Sequence, residues 1–217
     1  MTQAQCPSCA RLQEPRLFCS QCGTPLAGEL DYFAALGLPR RLTLDLSQLE
    51  TLYHNLGRRL HPDRFANSAA AIREASLSAT ALLTRAFRTL RDPVSRGLYW
   101  LELHNEKLAS DNKRVPPELA EMIFEVQETL SELQADEFNT EEERDSLRGQ
   151  VAASRREVEA SLSRSLADLE SNFARWDSAV NHDPDLIVQL KAILSRIAYL
   201  RTLTRDIERV QERNDLR

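Results

Sequence analysis

Apolar positions recur with helical period over most of the chain, and only short runs interrupt the rhythm. Leu49, Leu52, Tyr53, Leu56 and Leu60 are spaced to line one face of a helix. Just before them, Ser47 and Glu50 in "LDLSQLE" fit a Ser-x-x-Glu capping box. Pro62 ends this helix, because the residue before a proline is pushed out of the α region. A longer helix is predicted from about Asn67 to Arg91. Its inner face (Ala75, Ala79, Leu82, Ala86 and Leu90) is small, so the two helices can pack closely. Upstream, "DYFAALGLP" reads as a short helix capped by Asp31 and stopped by Gly37 and Pro39. Downstream, "RDP" closes the long helix, and a short one bearing Leu98 and Leu101 completes the module.

Pro116 and Pro117 open a further section, proline being suited to the first turn of a helix. Leu119, Ile123, Val126, Leu130 and Leu133 repeat at four-three spacing. So do Leu162, Leu166, Leu169, Phe173 and Trp176, and then Leu186, Leu190, Ile193, Ile197 and Leu200. Three long helices with one narrow apolar seam each are best satisfied by an antiparallel bundle. The acidic run "NTEEERD" reads as a solvated turn and helix start. The fold class is therefore all-α, in three sections: 1–28, where Pro25 and Gly28 mark a linker, then 29–104, then 105–217.

Charge changes the picture section by section. Residues 1–28 carry two Arg and one Glu, a balance of +1; residues 29–104 carry ten Arg and eight acids, a balance of +2. Residues 105–217 carry sixteen basic and twenty-four acidic side chains, a balance of −8. Such asymmetry suggests modules with different partners. It argues against nucleic acid, which requires a concentrated basic face. No run of about 18 apolar residues occurs, so no membrane span is expected. The start "MTQAQCPSC" has neither a signal segment nor transit-peptide character. The expected compartment is the cytoplasm, or the mitochondrial matrix if a presequence has been removed.

All four cysteines lie in the first 22 residues, whereas a secreted disulfide protein usually spreads its bridges over the fold. Cys6-x-x-Cys9 and Cys19-x-x-Cys22 form two knuckles that together supply four thiolates to a tetrahedral site. Gly23 lets the backbone fold back towards the sulfurs. Structural zinc is the favoured occupant, a rubredoxin-like iron uses the same spacing, and disulfides or free thiols are the bland alternative. So short and polar a section needs its metal to fold.

The stretch "GRRLHPDRFAN", residues 57–67, belongs to neither apolar stripe. His61 and Asp63 could form a catalytic pair, but a triad needs a nucleophile close by. No cysteine lies outside the metal section, and neither a G-x-S-x-G turn nor a glycine-rich phosphate loop occurs. The bland reading makes Asp63 or Asn67 a helix cap. It leaves the histidine and the neighbouring arginines unexplained.

"HPD" between a basic amphipathic helix and a long antiparallel partner resembles the J-domain. "DYFAALGLP", "HPDRF", "FRTLRDPVSRGLYWLELH" and the acidic bundle together are similar, over roughly residues 30–210, to the HscB family of J-type co-chaperones. Some of its members carry an N-terminal tetracysteine section. Thr84 departs from the pattern, since many J-domains place an asparagine there. The resemblance implies a protein that is not an enzyme. It would stimulate the ATPase of a DnaK/HscA-type chaperone and deliver an IscU-type iron–sulfur scaffold protein to it. His61, Pro62 and Asp63, with Arg58, Arg59 and Arg64 to steer, would meet the chaperone. Pro62 fixes the loop in one pose, and the arginines suit an acidic surface.

The scaffold surface has a local footprint. Phe124 lies about 140° from Leu119 around its helix, off the seam, and Tyr199 lies about 140° from Leu186 by the same geometry. Two off-seam aromatics bordered by carboxylates point to a docking patch. The resemblance assigns Phe124, Glu125, Glu128, Glu132 and Tyr199 to it. Ala120 and Glu121 stand where the family often has larger apolar residues, so the patch here is smaller or more polar. The runner-up reading is a general J-protein whose bundle binds unfolded clients.

Overall fold

The computed structural model describes residues 4–26, 28–108, 116–135, 140–179 and 184–215. Two strands, β1 (Ala4–Gln5) and β2 (Leu12–Gln13), pair antiparallel near the N-terminus. Seven helices follow among the described residues: α1 (Tyr32–Leu36), α2 (Leu46–Leu60), α3 (Ala70–Arg91), α4 (Pro93–Leu103), α5 (Ala120–Ala135), α6 (Glu141–Ser178) and α7 (Pro184–Asp215). Short 3₁₀ turns occupy Pro62–Phe65 and Pro117–Leu119. The all-α expectation holds. The chain divides into two compact units, Met1–Tyr99 and Trp100–Arg217, and the tetracysteine section belongs to the first.

The first unit is organised by α2 and α3, which run antiparallel. Tyr53 stacks on Phe87 with ring centres 4.2 Å apart at one level, and Leu60 meets Ser76 and Thr80 at another. The buried positions of α3 are Ala75, Ser76, Ala79, Leu83, Ala86 and Leu90. Leu83 thus replaces Leu82, which is only half-buried. On α4, Val94, Trp100 and Leu101 are buried and Leu98 is exposed. Asp31 caps α1 by accepting from the N–H of Ala34 at 2.8 Å, and Gly37 stops it at φ 69°. The amide of Tyr32 donates to the Tyr99 hydroxyl at 2.9 Å, tying α1 to α4.

Three local expectations need correction. Asp45, not Ser47, caps α2, its carboxylate accepting from the N–H groups of Ser47 and Gln48. A carboxylate two residues upstream reaches both orphan amides and adds charge at the positive helix end. α3 begins at Ala70 instead of Asn67, because residues 62–65 continue as a 3₁₀ turn, and its N-cap Ala69 offers no side-chain bond. Pro25 is buried and bridges to Phe18, so it belongs to the metal section and not to a linker.

In the second unit α6 and α7 also run antiparallel. Arg155 bonds Gln211 near one end of the pair, and Arg175 bonds Gln189 near the other. Leu119, Ile123, Val126, Leu130 and Leu133 are all buried, as their spacing predicts. They join Leu147, Val151, Val158, Leu200, Leu203, Ile207 and Val210 in one core. α6 departs from the expected seam: Ser161 and Ser165 are buried, while Leu162 and Leu166 flank them. Small side chains at the centre of the face let a neighbouring helix come close. Thr140 caps α6 through the N–H of Glu143, with Glu141, Glu142 and Glu143 in the first turn. The expected acidic helix start is there, and Asn139 of that run lies outside the described residues. No helix among the described residues is long and apolar enough to cross a membrane.

Candidate functional site

The His61–Pro62–Asp63 loop leaves the C-terminal end of α2. A helix end carries carbonyls without intrahelical donors, and here the last one is met from the partner helix. The buried Ser76 hydroxyl donates to the Leu60 carbonyl at 2.6 Å, and Thr80 approaches it at 3.3 Å. Sequence reading assigned no role to either residue. In sequence Ser76 is one more small residue on a small-residue face, and its partner lies sixteen positions away.

Beyond that anchor the loop turns outwards. His61 adopts φ −53° and ψ 128°, the extended geometry required before proline. Its Nδ1 accepts from the Asp63 amide at 3.3 Å and lies 3.4 Å from the Asp63 carboxylate. The amide contact holds the imidazole over the turn and keeps the backbone in register. The two side chains are 59% and 88% exposed. Neither caps α3, whose N-cap is Ala69. Both are presented to solvent from a fixed base.

The three arginines differ in surroundings. Arg58 donates to Asn55 on its own helix, and Arg64 is exposed in the 3₁₀ turn. Arg59 lies with its guanidinium carbon 4.1 Å above the ring centre of Phe18, in the metal section. Nothing in the local sequence joins residues 18 and 59.

The four cysteines come together as their spacing predicts. Cys6 and Cys22 sulfurs are 3.6 Å apart, Cys9 and Cys19 3.7 Å, and all four lie within 4.8 Å of one another. A metal about 2.3 Å from each sulfur sets tetrahedral edges near 3.8 Å, whereas a disulfide needs about 2.05 Å. The spacing fits four ligands around one ion. Each knuckle repeats the same backbone pattern. Ala10 N–H donates to the Cys6 carbonyl and Gly23 N–H to that of Cys19, at 3.0 and 2.9 Å. Ala10 and Gly23 both take positive φ, 57° and 71°. Amides of Ser8 and Gln21 point at the sulfurs of Cys6 and Cys19.

These donors set the acidity of the thiols. The amide of Cys22 lowers Cys19 most, the Gln21 amide and Gln13 side chain assist, and the thiol falls to about 6 despite desolvation. Thr24, by its hydroxyl and then its amide, lowers Cys22. At Cys9 the Arg11 amide pulls downwards, but desolvation and the other three sulfurs outweigh it and carry the thiol to about 11. A bound cation would displace that proton, so metal uptake is coupled to proton release.

On α5, Ala120, Glu121, Phe124, Glu125, Glu128 and Glu132 are all exposed, and Phe124 is 66% accessible. Tyr199 differs from its outward expectation. It is half-buried against the bundle core, as are Met122 and Leu162. A helix flanked by two others has a buried wedge wider than one seam, and Tyr199 lies at the edge of that wedge.

An exposed His-Pro-Asp loop on a helical hairpin, followed by a helical bundle, is the arrangement of a J-domain with a C-terminal bundle. Two solved structures share that helical fold. The chaperone HscB from Vibrio cholerae superposes with a TM-score of 0.67 at 24% identity, over 84% of this chain and 99% of that one. The human co-chaperone protein HscB gives 0.61 at 24% identity, over 94% of this chain and 96% of that one. No family model matches the chain. At this identity the likeness establishes the fold: a helical J-domain and a bundle, as in the HscB proteins.

Proposed function

We propose that this chain is a co-chaperone without an active site of its own. It stimulates ATP hydrolysis by a DnaK/HscA-type chaperone and delivers an IscU-type iron–sulfur scaffold protein to it, promoting cluster assembly and transfer. The observation that carries the reading is the state of His61 and Asp63. They are exposed, lack any role in capping α3, and stand on a loop whose base is locked by the buried bond from Ser76 to Leu60. Groups fixed in one pose and left open to solvent lose little entropy when a partner binds them. The bond that breaks is in the partner's nucleotide. Arg58, Arg59 and Arg64 supply the charge that steers an acidic chaperone surface to the loop.

The exposed face of α5 receives the scaffold protein in this reading. Phe124 is the anchor, Glu125, Glu128 and Glu132 are the charged border, Ala120 and Glu121 extend the face towards its start, and Tyr199 supports it from α7. One exposed aromatic amid carboxylates suits a folded partner with a basic rim better than the broad apolar surface unfolded clients require. Zinc is the proposed metal, held by Cys6, Cys9, Cys19 and Cys22. With all four positions filled by thiolates it would serve the fold and leave no position for a substrate.

The experiment is a pair of titrations, one with an IscU-type scaffold and one with a denatured protein. Binding of the scaffold that is lost in Phe124→Ala, with no comparable binding of the denatured protein, supports the delivery role. The reverse preference establishes the general J-protein instead.

A further inference from the structure

The contact between Phe18 and Arg59 joins the tetracysteine section to the helix that leads into the His-Pro-Asp loop. Phe18 is placed by the metal section itself. It directly precedes the buried ligand Cys19, bridges to Pro25, and is flanked by the amide of Leu26 donating to Leu17 at 2.9 Å. Arg59 is placed by α2, one residue before the Leu60 carbonyl that Ser76 locks. Both partners are therefore held from separate, rigid sides.

A guanidinium carbon 4.1 Å from the ring centre is at the distance of a face-on contact, which leaves the guanidinium edge free. The N–H donors lie in the guanidinium plane, so an arginine resting on an aromatic ring can still make a bidentate bond to a carboxylate. Arg59 is exposed, and no carboxylate pairs with it among the described residues. A long side chain with several rotatable bonds normally loses rotamer freedom when a partner fixes it. On Phe18 that freedom is already restricted before the partner arrives.

We propose that the tetracysteine section is part of the chaperone-docking surface, with Phe18 as a positioning residue that presents Arg59 to an acidic group of the ATPase partner. This rests on the co-chaperone reading and extends it, giving the metal section a task in partner binding. Loss of the metal would free Phe18 and with it Arg59, two residues before His61, so the affinity for the partner depends on an intact metal site.

The test is a titration of the DnaK-type ATPase with metal-loaded full-length protein, comparing the parent with Phe18→Ala, Phe18→Leu, Arg59→Ala and the Phe18→Leu/Arg59→Ala double variant. Phe18→Leu keeps apolar bulk and removes the π face, so it remains informative if Phe18→Ala loses metal. The expected result for Phe18→Leu is a two- to fivefold rise in the concentration giving half-maximal stimulation, about the factor a cation–π contact carries. Maximal stimulation and metal content stay at the parent's values, because the loop is untouched. Arg59→Ala raises the same concentration at least as much, and the double variant is no worse than Arg59→Ala. Parent-like or improved potency in Phe18→Leu overturns the inference, as does a defect that adds in full to that of Arg59→Ala. A parent that gives no stimulation at all overturns the co-chaperone reading, and this inference with it.

Discussion

Ser76 and the pair His61 and Asp63 illustrate opposite duties within one loop. Ser76 is buried and its hydroxyl meets the Leu60 carbonyl, leaving only the longer Thr80 approach if it is removed. Ser76→Ala should therefore cost about 1–3 kcal/mol, the penalty for a buried acceptor left poorly satisfied. Urea unfolding monitored by circular dichroism measures it, and an unchanged midpoint would remove the anchor from the account. His61→Gln and Asp63→Asn should stay within about 1 kcal/mol of the parent in the same assay, since both side chains are exposed and His61 caps only a short 3₁₀ turn. The tripeptide and the paired cysteines were legible in sequence because each is a contiguous signal of fixed spacing. Ser76, Thr80 and Phe18 were not, since their partners lie sixteen, twenty and forty-one positions away and no local pattern marks them.

Helices show where periodicity suffices and where it misleads. The α5 seam was readable in full, because its buried positions are all large apolar residues on one helical stripe. On α3 and α6 the small residues Ala75, Ala79, Ser161 and Ser165 occupy buried positions, so the larger leucines beside them were misplaced by a residue or so. Caps were ambiguous because Asp45 and Ser47 are both competent and two residues apart. The uncapped start of α3 gives a prediction of opposite sign: Ala69→Asp should stabilise by about 0.5–2 kcal/mol, the range for an N-cap side chain. A lower melting temperature would contradict it. On α5, Ile123→Ala should cost about 2–5 kcal/mol and Phe124→Ala little, since only the first opens a cavity. Tyr199→Ala should fall between them, because its ring is half-buried on the core. Calorimetric melting ranks the three, and a Phe124→Ala as unstable as Ile123→Ala would show that this aromatic is structural.

Across the whole molecule, charge, metal and helices divide the labour. The −8 balance of residues 105–217 suits a basic scaffold partner, and the net positive section before it suits an acidic chaperone surface. Residues 4–26 have few apolar side chains, and their buried cluster is Cys6, Cys19 and Leu26. Chelation should therefore erase the hydrogen-exchange protection of the Cys6, Ala10, Cys19 and Gly23 amides while leaving the helical signal of residues 32–215 nearly unchanged. Protection that survives chelation would show that the section folds without metal.

The central claim is that this chain acts through His61, Pro62 and Asp63 on the ATPase of another protein. Single-turnover ATP hydrolysis by a DnaK/HscA-type chaperone, with the parent or with Asp63→Asn added, tests it most directly. Hydrolysis should be faster with the parent, rise further when an IscU-type scaffold is present, and stay at the unstimulated rate with Asp63→Asn despite unchanged folding and metal content. Equal stimulation by parent and variant, or none by either, would contradict it.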